Sequence, residues 1–467
     1  MVRENNIEHF FKLVASGEAS GSSIYFLGIG GIGMSAIARY FNSRGVNVSG
    51  YDKTPTVLTQ QLQEEGIRIH FEDNIDLIDK SASIVVYTPA IPANHQEYNY
   101  LVANQYPVFK RSEVLGWVTK NAFNICVAGT HGKTTTSSMI AHILRDSGYG
   151  CNAFLGGIAS NYKTNFWSSE KNVCVVEADE YDRSFLQLNP DIAVITAIDP
   201  DHLDIYGTED SFTKAFVDFS AKIKNNGILY YKNGLQNTVS FATEKKQSYD
   251  LKNPSFAYAT DIKIKNGAYD FNVVIGNETL YNVELNMGGL HNVENAIAAI
   301  SVAKQIGISD TSIKKSISSY QGVQRRFQFL VKNDSLIMID DYAHHPQELE
   351  ALIKGVKNLY PEKKCLIIFQ PHLFSRTRDF AKAFAVALNM ADEVWLMPIY
   401  PAREEPIPGV TSEIIARFME TNKVKLVCKE DILKEVANKK NIEILITAGA
   451  GDIDILVEPI KNVLIKL

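Results

Sequence analysis

Ile125-Cys126-Val127-Ala128-Gly129-Thr130-His131-Gly132-Lys133-Thr134-Thr135-Thr136 reads as a strand, a glycine loop and the first turn of a helix, which runs on as an amphipathic stretch through Leu144. In that setting glycines let backbone N–H groups close around phosphate oxygens, and the helix N-terminus adds its positive dipole end. Lys133 can reach a terminal phosphate, and the Thr134 hydroxyl can ligate Mg²⁺. The candidate nucleotide-phosphate residues are therefore Gly129, Thr130, Gly132, Lys133, Thr134 and Thr135. The usual pattern places a glycine five residues before the Gly-Lys pair; Val127 stands there, so the loop is a variant of that motif.

A phosphate loop works with a hard cation held by carboxylates at neighbouring strand ends. Two acidic runs lie in such places. The apolar run Val173 to Val176 ends in Glu177-Ala178-Asp179-Glu180-Tyr181-Asp182, and Ile192 to Ile198 ends in Asp199-Pro200-Asp201-His202-Leu203-Asp204. Open α/β sheets bind ligands at the carboxyl ends of their strands. The expected metal ligands are Thr134, Glu177 and His202; a histidine is unusual for Mg²⁺ and suits Mn²⁺ as well.

Upstream, Gly28-Ile29-Gly30-Gly31-Ile32-Gly33 also joins a strand to a helix, and Asp52 ends the next strand at nearly the spacing of a ribose-binding acid. Alone this spells a dinucleotide site, but the physics licenses only a diphosphate near Gly28, Gly30, Gly31 and Gly33. Downstream, Arg325-Arg326, Asp340-Asp341-Tyr342-Ala343-His344-His345-Pro346 and Gln370-Pro371-His372-Leu373-Phe374-Ser375-Arg376-Thr377-Arg378 follow strands or a junction and could meet a ligand in a cleft. Their guanidinium groups can grip a carboxylate through two hydrogen bonds. Thr447 to Asp452 reads most simply as a tight turn.

Around these motifs, short apolar runs alternate with helical stretches in three series: from Ile24, from Ile125 and from Leu336. The expectation is an α/β protein of three domains: a Rossmann-like N-terminal domain at 1–118, a P-loop ATPase domain with a mixed sheet at 119–325, and a Rossmann-like C-terminal domain at 326–467. Hydrophobic residues at 45%, charged residues at 21% and a net charge of -6 suit a soluble globular protein with small anionic ligands and argue against a nucleic-acid partner. Cys126, Cys151, Cys174, Cys365 and Cys428 show no metal-ligand spacing and read as reduced thiols. The N-terminal residues do not form a signal peptide, and no run is long enough to insert in a membrane, so the expected compartment is the cytoplasm.

With these residues assembled, the chain resembles the Mur ligase family of bacterial peptidoglycan synthesis over nearly its whole length. The segments that carry the likeness are GIGGIGMSAIARY (Gly28 to Tyr40), AGTHGKTTT (Ala128 to Thr136), EADEYDRSFL (Glu177 to Leu186), DPDHLDIYG (Asp199 to Gly207), GLHNVENAIAA (Gly289 to Ala299), GVQRRF (Gly322 to Phe327), DDYAHHP (Asp340 to Pro346) and FQPHLFSRTRDF (Phe369 to Phe380). The resemblance implies that the N-terminal glycine loop holds the diphosphate of UDP-N-acetylmuramate, with no nicotinamide, and that the middle domain binds MgATP. It implies Lys133 and Thr134 at phosphate and metal, Glu177 and His202 at metal, and His291, Asn292 and Asn295 at the adenine. Arg326 and Asp341 would approach the nucleotide, while His344, His372 and Arg376 would receive L-alanine; some relatives carry arginine in place of Leu373.

The implied reaction is ATP-dependent joining of L-alanine to the sugar-nucleotide carboxylate through an acyl phosphate. Lys133, Glu177, His202, His344 and Arg376 are the expected catalytic set, and domain closure is expected to exclude water. The product would feed cell-wall growth and so cell shape and division. Rivals are a sibling that attaches a recycled tripeptide to the same sugar nucleotide, a nicotinamide dehydrogenase, and a nonenzymatic nucleotide-binding protein.

Overall fold

The structure is a computed structural model that describes residues 2–200, 202–265, 267–402 and 404–466, without the side chains of 2–6, 8, 203 and 204. Asp201 thus lies outside the described residues, as does the Asp204 side chain.

Among the described residues the chain forms three sheets. The first holds β1 (Ser23–Leu27), β2 (Asn47–Tyr51), β3 (Arg68–His70), β4 (Ile84–Tyr87) and β5 (Val108–Lys110), in the order β3-β2-β1-β4-β5 and parallel throughout. β1 is buried along its whole length, the expected consequence of a parallel strand covered on both faces. Helix Ile32–Ser43 leaves the tip of β1 and sinks Met34 to Phe41 into the core.

The second sheet contains β6 (Phe123–Ala128), β7 (Asn152–Ala159), β8 (Thr164–Trp167), β9 (Val173–Glu177), β10 (Ile192–Ile195), β11 (Ile228–Lys232), β12 (Lys246–Asp250), β13 (Ala257–Lys265), β14 (Ala268–Ile275) and β15 (Glu278–Leu285). Their order is β15-β14-β13-β12-β11-β10-β6-β9-β7-β8. β6 therefore lies between β10 and β9, with Ile125 opposite Ile192 on one side and Val175 on the other. This crossover order brings both acidic strand ends beside the loop that follows β6. β10 stops at Ile195 rather than Ile198, because Thr196 turns its hydroxyl to the Ala128 and His131 carbonyls and begins a loop.

The third sheet is β16 (Gln328–Lys332), β17 (Ile337–Asp341), β18 (Cys365–Phe369), β19 (Glu393–Leu396), β20 (Val424–Leu426) and β21 (Ile444–Ala448), ordered β16-β17-β21-β18-β19-β20 with only β16 antiparallel. The chain divides into two compact units: residues 1–259, 273–280 and 294–316, and residues 260–272, 281–293 and 317–467. All five cysteines are free thiols, four of them buried and Cys428 exposed.

Candidate active site

In the first unit, β6 hands over to helix Lys133–Asp146 through a loop that only glycine can make at two points. Gly129 has φ +128° and Gly132 φ +80°, left-handed values that strain any side chain. A Cβ on Gly129 would meet Thr196 Oγ1 at 2.3 Å, and one on Gly132 would meet Asn295 Oδ1 at 2.8 Å. The helix is buried from Thr134 to Leu144, so its N-terminus is fixed in place. Lys133 Nζ donates to the Gly129 carbonyl and to Glu180 Oε1, both at 2.7 Å. Glu180 is 1% exposed, and among the described residues its Oε2 has no hydrogen-bond partner. Burial pushes its carboxyl above the ordinary range, and the Lys133 ion pair opposes that.

Thr134 Oγ1 donates to Glu177 Oε1 at 3.1 Å, while Glu177 Oε2 accepts the Gly156 N–H at 3.0 Å. Gly156 has to be glycine for a different reason: a Cβ there would lie 2.4 Å from the Glu177 carboxylate oxygens. A hydroxyl and a carboxylate side by side are hard oxygen donors and fit Mg²⁺, which keeps several waters and takes further oxygens from substrate phosphates. His202 is half-buried at φ 52° with its ring edge-to-face against Tyr181, centroids 5.0 Å apart. Among the described residues no three His, Cys, Asp or Glu side chains gather in a metal-holding cluster, so the local pair is Thr134 and Glu177. On the other side of the loop, Asp199 N–H donates to Thr130 Oγ1 at 3.1 Å.

The N-terminal glycine loop is partly closed by its own backbone. Gly28 and Ile29 donate to the Tyr51 carbonyl at 2.8 and 3.0 Å, and Gly31 to that of Gly28 at 3.2 Å. Gly30 N–H donates to Asp52 Oδ2 at 2.7 Å, and Thr54 N–H to Oδ1 at 3.2 Å. Asp52, at nearly the spacing of a ribose acid, thus has its carboxylate hydrogen-bonded to the loop amide of Gly30. Anion-binding capacity falls to the first turn of helix Ile32–Ser43, where orphan amides begin. An open cleft of ≈ 270 Å³ lies there, lined by Gly31 and Gly33 on the loop side and by Gly156, Glu177 and Asp179 opposite.

In the second unit, His372 and Arg376 sit one turn apart at the start of helix Phe374–Leu388, with Arg376 Nη1 3.5 Å from His372 Nδ1. His372 meets His344 edge-to-face at 5.9 Å and stacks on Tyr400 at 5.8 Å. Desolvation, then Arg376 and His344, push its pKa down to about 4, so the ring is neutral near pH 7. His344 Nδ1 is 2.9 Å from the Tyr342 carbonyl. Glu404 accepts from the Ser375 N–H at 2.9 Å and from its hydroxyl, which anchors the loop after Tyr400 to the same helix start.

Arg325 departs from its expected ligand role. It has φ 58°, pairs with buried Asp340 at 3.3 Å, donates to the Gly449 carbonyl and lies over the Tyr342 ring. These contacts tie its guanidinium to the protein, while its neighbour Arg326 is exposed. The Thr447 to Asp452 stretch, read as a simple turn, also supplies Asp452, which accepts from Gln370 Nε2 at 2.6 Å. His291 is exposed, and Asn292 is buried with Nδ2 on the Gly288 carbonyl at 2.6 Å.

Asp341 accepts from the Phe327 N–H at 2.6 Å and the Ala343 N–H at 2.7 Å. Desolvation pushes its pKa from 3.8 up to about 7, with those amides pulling down and Asp340 pushing further. A folded pKa above the unfolded value gives a stability contribution that is full below about pH 4 and lost as pH rises through about 7. Urea midpoints are expected to fall across that window, and Asp341→Asn is expected to flatten part of the slope. An unchanged slope in the variant would assign the effect elsewhere.

A strand, glycine loop and helix backed by a carboxylate, with that carboxylate lining a cleft that reaches the N-terminal glycine loop, suit an enzyme that uses a nucleoside triphosphate on a phosphate-bearing partner. Comparison with known proteins makes this specific. The model for the Mur ligase family, catalytic domain, matches residues 23–122, that for the Mur ligase middle domain 127–303, and that for the Mur ligase, glutamate ligase domain, 325–455. The chain belongs to the Mur ligase family.

Within it, a UDP-N-acetylmuramate–L-alanine ligase of Flavobacterium johnsoniae is 48% identical over 447 residues, covering 95% of this chain and 98% of its own. One from Phocaeicola vulgatus is 47% identical over 456 residues, again 95% and 98%. The crystal structure of the UDP-N-acetylmuramate-alanine ligase of Thermotoga maritima superposes with a TM-score of 0.82 at 26% identity, over 95% of this chain and 99% of that one. A murein peptide ligase of Psychrobacter arcticus shares the fold, with a TM-score of 0.67 at 22% identity over 96% and 99% of the two chains.

Sequence reasoning passed over Glu180, Gly156, Arg111 and Glu404. Glu180 stood inside a quoted run without a role, Gly156 lies within the strand β7 and Glu404 in a loop, neither in any motif. Arg111 merely opens a helix, a position where an arginine carries no signature.

Proposed function

We propose that the protein joins L-alanine to the lactyl carboxylate of UDP-N-acetylmuramate at the expense of ATP, as a carbon–nitrogen ligase of peptidoglycan precursor synthesis. The observation that carries this reading is the cleft with the N-terminal glycine loop on one wall and Glu177, hydrogen-bonded to the phosphate-loop Thr134, on the other. The likeness to L-alanine-adding relatives over 95% of the chain supports the choice of substrates.

In the first step a carboxylate oxygen attacks the γ-phosphorus of ATP, ADP leaves, and an acyl phosphate forms. The alanine amine then attacks the acyl carbon, and the tetrahedral intermediate expels phosphate and loses the amine proton. Lys133 offsets charge on the transferring phosphoryl group, and the amides of the first helical turn orient it. Thr134 and Glu177, with His202 as a further donor, would hold Mg²⁺ or Mn²⁺, which when bound neutralises phosphate charge. Arg376 grips the alanine carboxylate, His372 stays neutral beside it, and His344 is the candidate acceptor of the amine proton. Arg326 and Asp341 serve the nucleotide, and so do His291, Asn292 and Asn295.

We place the domain boundaries at 1–118, 119–325 and 326–467. Among the described residues no helix is long and apolar enough to cross a membrane; the compartment we propose, on the strength of the ATP and nucleotide-sugar substrates, is the cytoplasm. ADP release with UDP-N-acetylmuramate is expected to require L-alanine and to be far weaker with the tripeptide L-alanyl-γ-D-glutamyl-meso-diaminopimelate. A preference for the tripeptide would move the protein to the recycling branch.

A further inference from the structure

The reaction proposed above brings a carboxylate into a strongly acidic place. Glu177 and Asp179 both line the cleft, and a triphosphate on the loop of Thr134, which donates to Glu177, would add charge on their side. Like charges at such separations repel strongly in a partly desolvated site, so the approach needs a cation. Among the described residues that line the cleft, Arg111 is the one cation.

Arg111 opens helix Arg111–Thr119 directly after β5. Its guanidinium lies against Gly33, where a Cβ would meet Nη1 at 2.5 Å. Nη2 pairs with Asp179 Oδ2 at 3.2 Å, the arginine side chain 22% and the aspartate 39% exposed. The fork is thus held between Gly33 and Asp179, and among the described residues only Nη2 of its five-donor guanidinium has a hydrogen-bond partner. Gly33 is what allows this approach, which gives that glycine a purpose apart from turning the loop.

We infer that Arg111 binds the reacting carboxylate of the sugar nucleotide, which displaces Asp179 from the guanidinium. Asp179 keeps the fork oriented until substrate arrives, and an always-charged planar donor suits a carboxylate better than the first helical turn, whose amides suit the diphosphate. The inference rests on the reading of the reaction given above and names a residue that reading leaves out.

The test uses the full-length enzyme with Arg111→Ala and Arg111→Lys. The KM for UDP-N-acetylmuramate is expected to rise roughly 10- to 100-fold in Arg111→Ala and less in Arg111→Lys, the loss of a charge-assisted pair. The KM for ATP should stay within about twofold, as the residue touches no ATP site. UDP-N-acetylglucosamine, which lacks the lactyl carboxylate, should bind variant and parent alike by calorimetry. Equal loss of both sugar nucleotides would assign Arg111 to the diphosphate and overturn the inference, as would an unchanged KM. If Arg111→Ala fails to fold, the Arg111→Lys ratio of the two sugar nucleotides decides. Failure of the parent enzyme to turn over UDP-N-acetylmuramate with L-alanine would instead defeat the reading of the reaction, and the calorimetric comparison would still report on Arg111.

Discussion

Lys133→Ala is expected to lower the rate of acyl phosphate formation by about 10³-fold or more, at the upper end of what loss of one preorganised electrostatic donor does. The reason is specific to this loop: Lys133 is its cation, held by the Gly129 carbonyl and Glu180, and in the proposed reaction it reaches the terminal phosphate. A second consequence has to be separated from the first. Glu180 is buried, and removing its partner leaves an uncompensated carboxylate, a change that costs about 3–5 kcal/mol in buried pairs. The double variant Lys133→Ala/Glu180→Gln is therefore expected to regain stability without regaining activity. Single-turnover measurement of ADP formation, together with thermal melts, checks both; near-normal turnover in either variant would remove the loop lysine from the mechanism.

The second large effect is expected at Glu177. Glu177→Gln keeps the shape and can keep one hydrogen bond, but it removes the charge beside Thr134. Loss of a metal's outer-sphere partner already costs about 10- to 100-fold in affinity, so a direct carboxylate ligand should cost at least that. A titration of ADP release against Mg²⁺ is expected to shift to roughly 10²-fold higher metal, with kcat reduced even at saturation. If the Mg²⁺ dependence of the variant overlays that of the parent, Glu177 is not a ligand.

Much of this was legible in the residues. β1, β2 and β4 announced themselves as apolar runs, as did β6, β9, β10 and the core strands of the third sheet, because parallel strands buried on both faces have no reason to alternate. What stayed hidden was either short or partnered at long range. β3 and β5 have three residues each, too few for any period to show. The β7–β8 hairpin carries glycines and asparagine that read as loop, yet Gly156 is needed there so that Glu177 can lie against its backbone. Asp52 and Arg325 had plausible ligand spacings, but spacing along the chain cannot report that the Gly30 amide and the Asp340 carboxylate wait beside them. In each case the side chain also serves a group of the protein itself, and that partnership is invisible until the chain has folded.

The pairing of Lys133 with Glu180 bears on which anions the enzyme ignores. An empty phosphate loop with a bare lysine would attract any small anion, and inorganic phosphate is a product of the reaction. Here the ammonium already has a carboxylate partner in a buried setting, so a lone phosphate would have to displace that partner with few contacts in return. A nucleotide that also reaches the loop amides and the metal makes many. The loop is therefore expected to favour ligands that present several oxygens together, and inhibition by free phosphate is expected to be weak and to strengthen in Glu180→Gln, which a phosphate titration of ADP release checks.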